Sequence, residues 1–182
     1  YGKVFDARYS WIWMHKTKDF YQHRLPLYEL DSLLDRYSGI GDGSMRAWFT
    51  SNHNENSWNG TEYDKYGKMA GALAVFSATW NGVPLLYSGQ ELPNLKKLEF
   101  FEKDVIQWSG KFEKQEFYKT LLNLHSRQPA LRGGDSAVET YRLNTTDNVH
   151  VFAYLRKNGN REVLVVLNLS DQSLQKVSFD DD

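Results

Sequence analysis

Over the first two-thirds of the chain, short apolar runs alternate with stretches of helical spacing; after Pro129 the pattern changes to strands and turns. Residues 4–13 are aromatic and β-branched and read as a strand, and 17–23 as a short helix. Pro26 opens a second helix carrying Leu27, Leu30, Leu33, Leu34 and Tyr37 at helical spacing, with Gly39 as its stop. Residues 45–50 read as a short buried strand that runs into a polar loop, 51–56. Thr61, followed three residues later by Asp64, predicts a capping box. The helix that follows lines up Met69, Leu73, Phe76 and Trp80, and Asn81-Gly82 ends it. A strand over 83–87, a loop over 88–91 and a helix over 113–127 with Phe117, Leu121 and Leu124 inward complete the first part.

This order of short apolar strands and intervening helices predicts a parallel sheet covered by helices. Reactive side chains in such folds sit just past the carboxyl ends of the strands. His53 and Glu91 both fall there. The tail predicts antiparallel strands at 137–143, 149–156, 162–169 and 174–179, with Asn158-Gly159-Asn160 as a hairpin turn between the second and third. The division that follows is 1–128 and 129–182.

Composition narrows the choices. With 182 residues and 41% apolar content, the chain can bury one good core with a small appendage. Its 15% aromatic content serves a core, and would equally serve a sugar-binding surface. The net charge is −1 with the two signs interspersed, and no basic tract suggests nucleic acid. No apolar run approaches the roughly 20 residues that span a bilayer, so neither partner is expected. The absence of cysteine excludes a disulfide framework and thiolate metal sites. The chain begins at Tyr1 and is expected to belong to something longer, so its compartment cannot be read. Asn59-Gly60-Thr61, Asn144-Thr145-Thr146 and Asn168-Leu169-Ser170 fit the weak glycosylation pattern.

Three segments carry a resemblance. Phe49-Thr50-Ser51-Asn52-His53-Asn54-Glu55-Asn56-Ser57-Trp58 resembles the seventh-strand motif of the α-amylase family, Phe-x-x-Asn-His-Asp. Gly82-Val83-Pro84-Leu85-Leu86-Tyr87-Ser88-Gly89-Gln90-Glu91 resembles the eighth-strand motif, Gly-x-Pro-x-x-Tyr-x-Gly-x-Glu, and Phe100-Phe101-Glu102-Lys103-Asp104-Val105-Ile106-Gln107-Trp108 resembles the segment after it. They occur in family order at consistent spacing. The fold implied is α/β: the last three strands or so of a TIM (β/α) barrel over 1–128, then a small antiparallel β-sandwich-like domain over 129–182, possibly clipped. A whole barrel takes about 250 residues, so strands one to five are expected upstream of Tyr1.

The resemblance also implies a chemistry. Retaining glycoside hydrolysis needs two carboxylates about 5–5.5 Å apart; in the family they follow strands four and five, and so would precede Tyr1. A third carboxylate, after strand seven, favours the oxocarbenium-like transition state, and Asn54 stands at its position. Asn54 keeps the shape and loses the charge, a change of the kind that costs on the order of 10²–10⁴ in rate. His53 is expected to hydrogen-bond sugar hydroxyls. Trp58 is expected to stack on a glucose ring or to pack under the loop. Asn52 is a further substrate-side candidate that could instead fix the loop. Glu91 is expected to support the structure rather than act as an acid.

No cofactor or metal is expected in this chain, although many relatives use calcium through ligands that are mostly upstream. The reading that follows is a piece of a retaining hydrolase of α-1,4-glucans (starch, maltooligosaccharides), inactive alone, with an α-glucan oligosaccharide as partner. The alternatives are a non-catalytic α-glucan-binding module and a folded piece with no activity of its own. Barrel strands with open edges are expected to self-associate.

Overall fold

In the computed structural model, residues 4–38 and 44–180 are described. Three parallel strands, β1 (Ala7–Tyr9), β2 (Met45–Trp48) and β3 (Val83–Pro84), form one sheet in that order. Ala7 pairs with Met45 and Ala47 with Val83. Helices α1 (Trp11–Tyr21) and α2 (Tyr28–Ser38) connect β1 to β2. Helices α3 (His53–Asn59), α4 (Glu62–Tyr66) and α5 (Ala70–Thr79) connect β2 to β3, with one 3₁₀ turn at Gly67–Met69. Helix α6 (Gln115–Arg127) follows the third strand.

The strand expected over 4–13 is shorter than its aromatic content suggested. It ends at Tyr9, and Trp11 already begins α1. Trp13, Met14, Thr17 and Phe20 are all buried, a spacing that suits one helical face and not the alternation of a strand. Ser10 stands at the helix start without capping it. Its amide and its hydroxyl both donate to Ala47 O, at 3.1 and 2.8 Å, extending the tie between β1 and β2. In α2, Leu30, Leu33 and Leu34 are buried as expected. The expected stop at Gly39 lies outside the described residues.

The capping box at Thr61 and Asp64 forms. Helix α5 is buried on almost every side, Leu73 and Phe76 among small residues, because it packs against β2, β3, α4, α6 and the strand Arg161–Asn168 at once. It stops at Thr79, so Trp80 lies just beyond its end. Gly82 then takes a positive φ of 141°. A Cβ there would lie 2.3 Å from Arg46 O and 2.5 Å from the Trp48 ring nitrogen, so only glycine lets the chain enter β3 so close to β2. In α6, Tyr118 and Leu121 face inward and Leu124 is exposed, which corrects the expected inward set.

The tail forms one antiparallel sheet of β4 (Glu139–Leu143), β5 (Val151–Asn158) and β6 (Arg161–Asn168). The predicted hairpin is a two-residue connection, Gly159-Asn160, closed by the pair Asn158 and Arg161. Residues 174–179 form no strand; a single bridge joins Phe179 to Thr145. Among the described residues the tail is therefore one three-stranded sheet, without a second sheet to make a sandwich.

Phe152 and Tyr154 of β5 and Val165 and Leu167 of β6 join the same core cluster as Trp13, Trp48 and Phe76. Phe76 stacks on Trp13 at 4.4 Å and on Trp80 at 5.2 Å, and meets Phe152 and Tyr154 edge-on. Thr79 Oγ1 lies 2.6 Å from the Tyr154 hydroxyl, which gives that buried group a partner.

Candidate functional site

The carboxyl ends of β1, β2 and β3 lie together at one edge of the parallel sheet, and the candidate residues leave from the end of β2. Phe49 anchors this exit: it is buried and meets Tyr9 and Trp11 edge-on at 5.6 and 5.5 Å. Leu85 N donates to Trp48 O at 2.8 Å, carrying the β2–β3 tie one residue past the strands.

The segment 51–56 is not a loop throughout. Asn52 has an extended backbone, and its Oδ1 accepts from Asn54 N and Glu55 N, both at 2.9 Å, so it is the N-cap of α3. His53 and Asn54 are thereby fixed in the first turn of a helix, exposed and half-buried respectively. Asn52 itself is buried and positions its neighbours. Asn52 Nδ2 and Ser51 Oγ are buried without a hydrogen-bond partner among the described residues.

Trp58, four residues beyond Asn54, shares its side of α3. Its ring is exposed and packs against Phe100 and Phe101 at 4.9 and 5.8 Å. Asn56 holds the segment bearing these rings: its Nδ2 donates to Lys96 O at 3.1 Å and its Oδ1 accepts from Leu98 N at 2.8 Å.

The carboxylates beside this edge are engaged. Glu55 is buried and accepts from Asn59 Nδ2 at 3.0 Å. Glu91 accepts from Gly89 N at 2.9 Å. Glu62 is buried in a polar cluster that no sequence motif marked. Thr50 Oγ1 donates to Glu62 Oε2 at 2.5 Å, Gln90 Nε2 at 2.6 Å, and the Tyr118 hydroxyl to Oε1 at 3.3 Å. Gln90 Oε1 in turn accepts from Tyr87 N at 2.7 Å, so one carboxylate ties the exits of β2 and β3 to α4 and α6. Burial raises the Glu62 carboxyl above its ordinary range, against the pull of these donors. Burial also pushes the Lys65 ammonium down to about 8, with Glu55 and Glu62 opposing the shift. Thr50, at the strand exit, and Tyr118, one helical turn before Leu121, were the signals available for the cluster.

The edge therefore presents an imidazole and a carboxamide, which together donate and accept hydrogen bonds without a formal negative charge. No group of three His, Asp or Glu side chains suited to a metal occurs among the described residues. Two cavities among the described residues lie elsewhere. One of about 520 Å³ is bounded by Asp31, Tyr37, Arg46 and Arg142. The other, of about 470 Å³, is bounded by Tyr21, Arg24, His150 and Asp171.

No family model matches the chain. Among curated proteins it is 30% identical over 136 residues to α-amylase MalA of Haloarcula japonica, covering 74% of this chain and 19% of that protein. It is 27% identical over 106 residues to a cyclomaltodextrinase of Geobacillus thermopakistaniensis, covering 57% and 17%. To α-amylase 2 of Dictyoglomus thermophilum it is 24% identical over 144 residues, covering 72% and 24%. The chain thus spans about a fifth of the length of these relatives. Among solved structures it is similar to the noncanonic maltogenic α-amylase AmyB of Thermotoga neapolitana, with TM-score 0.77, 22% identity and coverage of 92% of this chain and 39% of that one. It is similar also to an α-amylase of Lactobacillus plantarum, with TM-score 0.74, 19% identity and coverage of 93% and 38%.

Proposed function

Because the chain belongs to the α-amylase family of glycoside hydrolases, we propose that it forms the last three strands of a (β/α) barrel that hydrolyses α-1,4-glucans with retention. In this reading the chain supplies one wall of the cleft and not the cleavage chemistry. The observation that carries it is the placement of His53 and Asn54, held by the Asn52 cap just past the carboxyl end of a parallel strand.

His53 and Asn54 hydrogen-bond sugar hydroxyls at the point of cleavage. Asn54 occupies the place of the transition-state carboxylate as a neutral donor and acceptor. The nucleophile and proton donor that retention requires belong to other strands of the barrel. Trp58 lies one helical turn from Asn54 and adds an apolar face for a glucose ring. The two outer strands of the sheet, β1 and β3, are edges through which the chain self-associates when it stands alone.

The test is an assay of the purified chain with maltoheptaose. No reducing sugar is expected above the buffer rate, together with binding that weakens in His53→Ala. Turnover that persists through purification and disappears in His53→Ala would contradict the division of labour. A second reading, a glucan-binding module without catalysis, is favoured by the exposed ring of Trp58; a complete barrel carrying this chain that binds maltoheptaose and never cleaves it would select that reading.

A further inference from the structure

Trp58, Phe100 and Phe101 are packed together on the surface and remain open to solvent, at 55%, 44% and 81% exposure. Phe100 and Phe101 meet edge-on at 4.9 Å, and both touch the Trp58 ring. Three neighbouring exposed aromatic rings mark a surface that meets something.

The segment that displays the two phenylalanines is fastened in place. Asn56, on the same helix as Trp58, holds Lys96 O and Leu98 N through both ends of its amide. Lys96 is paired with Asp104, whose other oxygen accepts from Glu99 N at 3.0 Å. The rings are thus presented as one preformed surface, and ordering them on binding costs little.

Along the segment that carries the two phenylalanines, from Lys97 to Lys103, the exposed charges are Lys97, Glu99, Glu102 and Lys103, two of each sign. That balance does not suit a phosphate backbone or an anionic membrane. It suits a neutral ligand with an apolar face. The C–H face of a glucose ring is such a ligand, because its slightly positive hydrogens meet the negative face of an aromatic ring.

We propose that Trp58, Phe100 and Phe101 form a glucan-stacking platform that continues outward from the His53–Asn54 edge and holds glucose units of a longer chain. The link between the two is α3: Asn54 and Trp58 are four residues apart and share a side of that helix. The proposal rests on the reading of the chain as part of a glucan-cleaving barrel, and extends it to polymer length. A platform outside the cleavage point favours long chains over short ones by adding contacts that a disaccharide cannot reach.

The test is native electrophoresis of the full 182-residue chain through gels containing amylose, with dextran gels as the control. Amylose is expected to retard the wild type. Trp58→Ala and Phe101→Ala should each weaken retardation by about tenfold, and Phe101→Tyr, which keeps the ring, should retain it. Phe101 is so exposed that its replacement leaves the fold intact, and an unchanged urea midpoint verifies this. Retardation that His53→Ala weakens and Phe101→Ala leaves unchanged would overturn the platform while leaving the edge reading in place. A wild type that amylose does not retard also overturns the platform; the edge reading is then judged by maltoheptaose binding alone. A Phe101→Ala variant that changes only the sedimentation of the chain would assign the patch to contact between copies, and would overturn the platform too.

Discussion

Asn52 gives one side-chain oxygen to two backbone amides, so the start of α3, and with it the height at which His53 and Asn54 leave the strand, depends on a single residue. Asn52→Ala removes that cap and should cost about 1 kcal/mol, within the usual spread of about 0.5–2 kcal/mol, measured as a lower free energy of urea unfolding. Asn54→Asp should act in the opposite direction. It places a carboxylate in the first turn of the helix, where the macrodipole favours it by about 0.3–1 kcal/mol, and the same unfolding experiment at low salt reads the gain. Asn52, His53 and Asn54 stand out in the sequence because they align with the Asn-His-Asp of a family motif, from which Asn54 departs. The helix they begin was not read, although its sign was present: an asparagine followed three residues later by a glutamate is an N-terminal signature. The string of polar residues from Ser51 to Asn56 read as a loop because none of them supplies the apolar periodicity by which helices are recognised.

At the scale of elements, the Glu62 cluster decides how the exits of β2 and β3 sit against α4 and α6. Its carboxyl is raised by burial, so the folded state holds its proton to higher pH than the unfolded chain does. As pH rises from the ordinary carboxylate range through the raised folded value, the unfolded state binds fewer protons than the folded one, and stability falls. Wild-type stability should therefore decline over that window in a way that Glu62→Gln, which cannot ionise, does not share. Urea unfolding of both proteins at a series of pH values between mild acid and neutrality checks this. Equal slopes would show that Glu62 is not the group responsible.

The elements themselves were legible where periodicity was long and clean, as in α2 and the hairpin at Gly159-Asn160. They were misread where one aromatic run served two elements. Tyr9 belongs to β1 and Trp11 to α1, and only the spacing of Trp13, Met14, Thr17 and Phe20 separates them. The inward face of α6 was misplaced for a related reason. Tyr118 spends its hydroxyl on Glu62 and packs inward, while Leu124 is left outside, so a polar tip decided the face against the more apolar residue.

For the whole molecule, the ring of Phe76 is the element of continuity. It is buried and touches aromatic side chains of the parallel-sheet part and of the antiparallel sheet, so the two share one core. Phe76→Ala should cost about 3–5 kcal/mol. Thermal unfolding followed separately by far-ultraviolet and tryptophan signals should show one coincident transition in the wild type; two separated transitions would show that the tail sheet is independently stable. The sequence pointed to a change of architecture at Pro129 because periodicity changes there. It could not show that the core runs across that point, because contact between Phe76 and Phe152 is a matter of packing and leaves no local pattern.

The central claim is that the His53–Asn54 edge faces a glucan. It is tested most directly by titrating the isotope-labelled chain with maltoheptaose and following each residue's resonances by nuclear magnetic resonance. The account predicts that the His53 ring and Asn54 side-chain amide signals shift together and saturate, with Trp58 moving alongside them, and that dextran leaves all three unmoved. Saturable shifts confined to the cavity between Asp31 and Arg142, with His53 and Asn54 silent throughout, would contradict it.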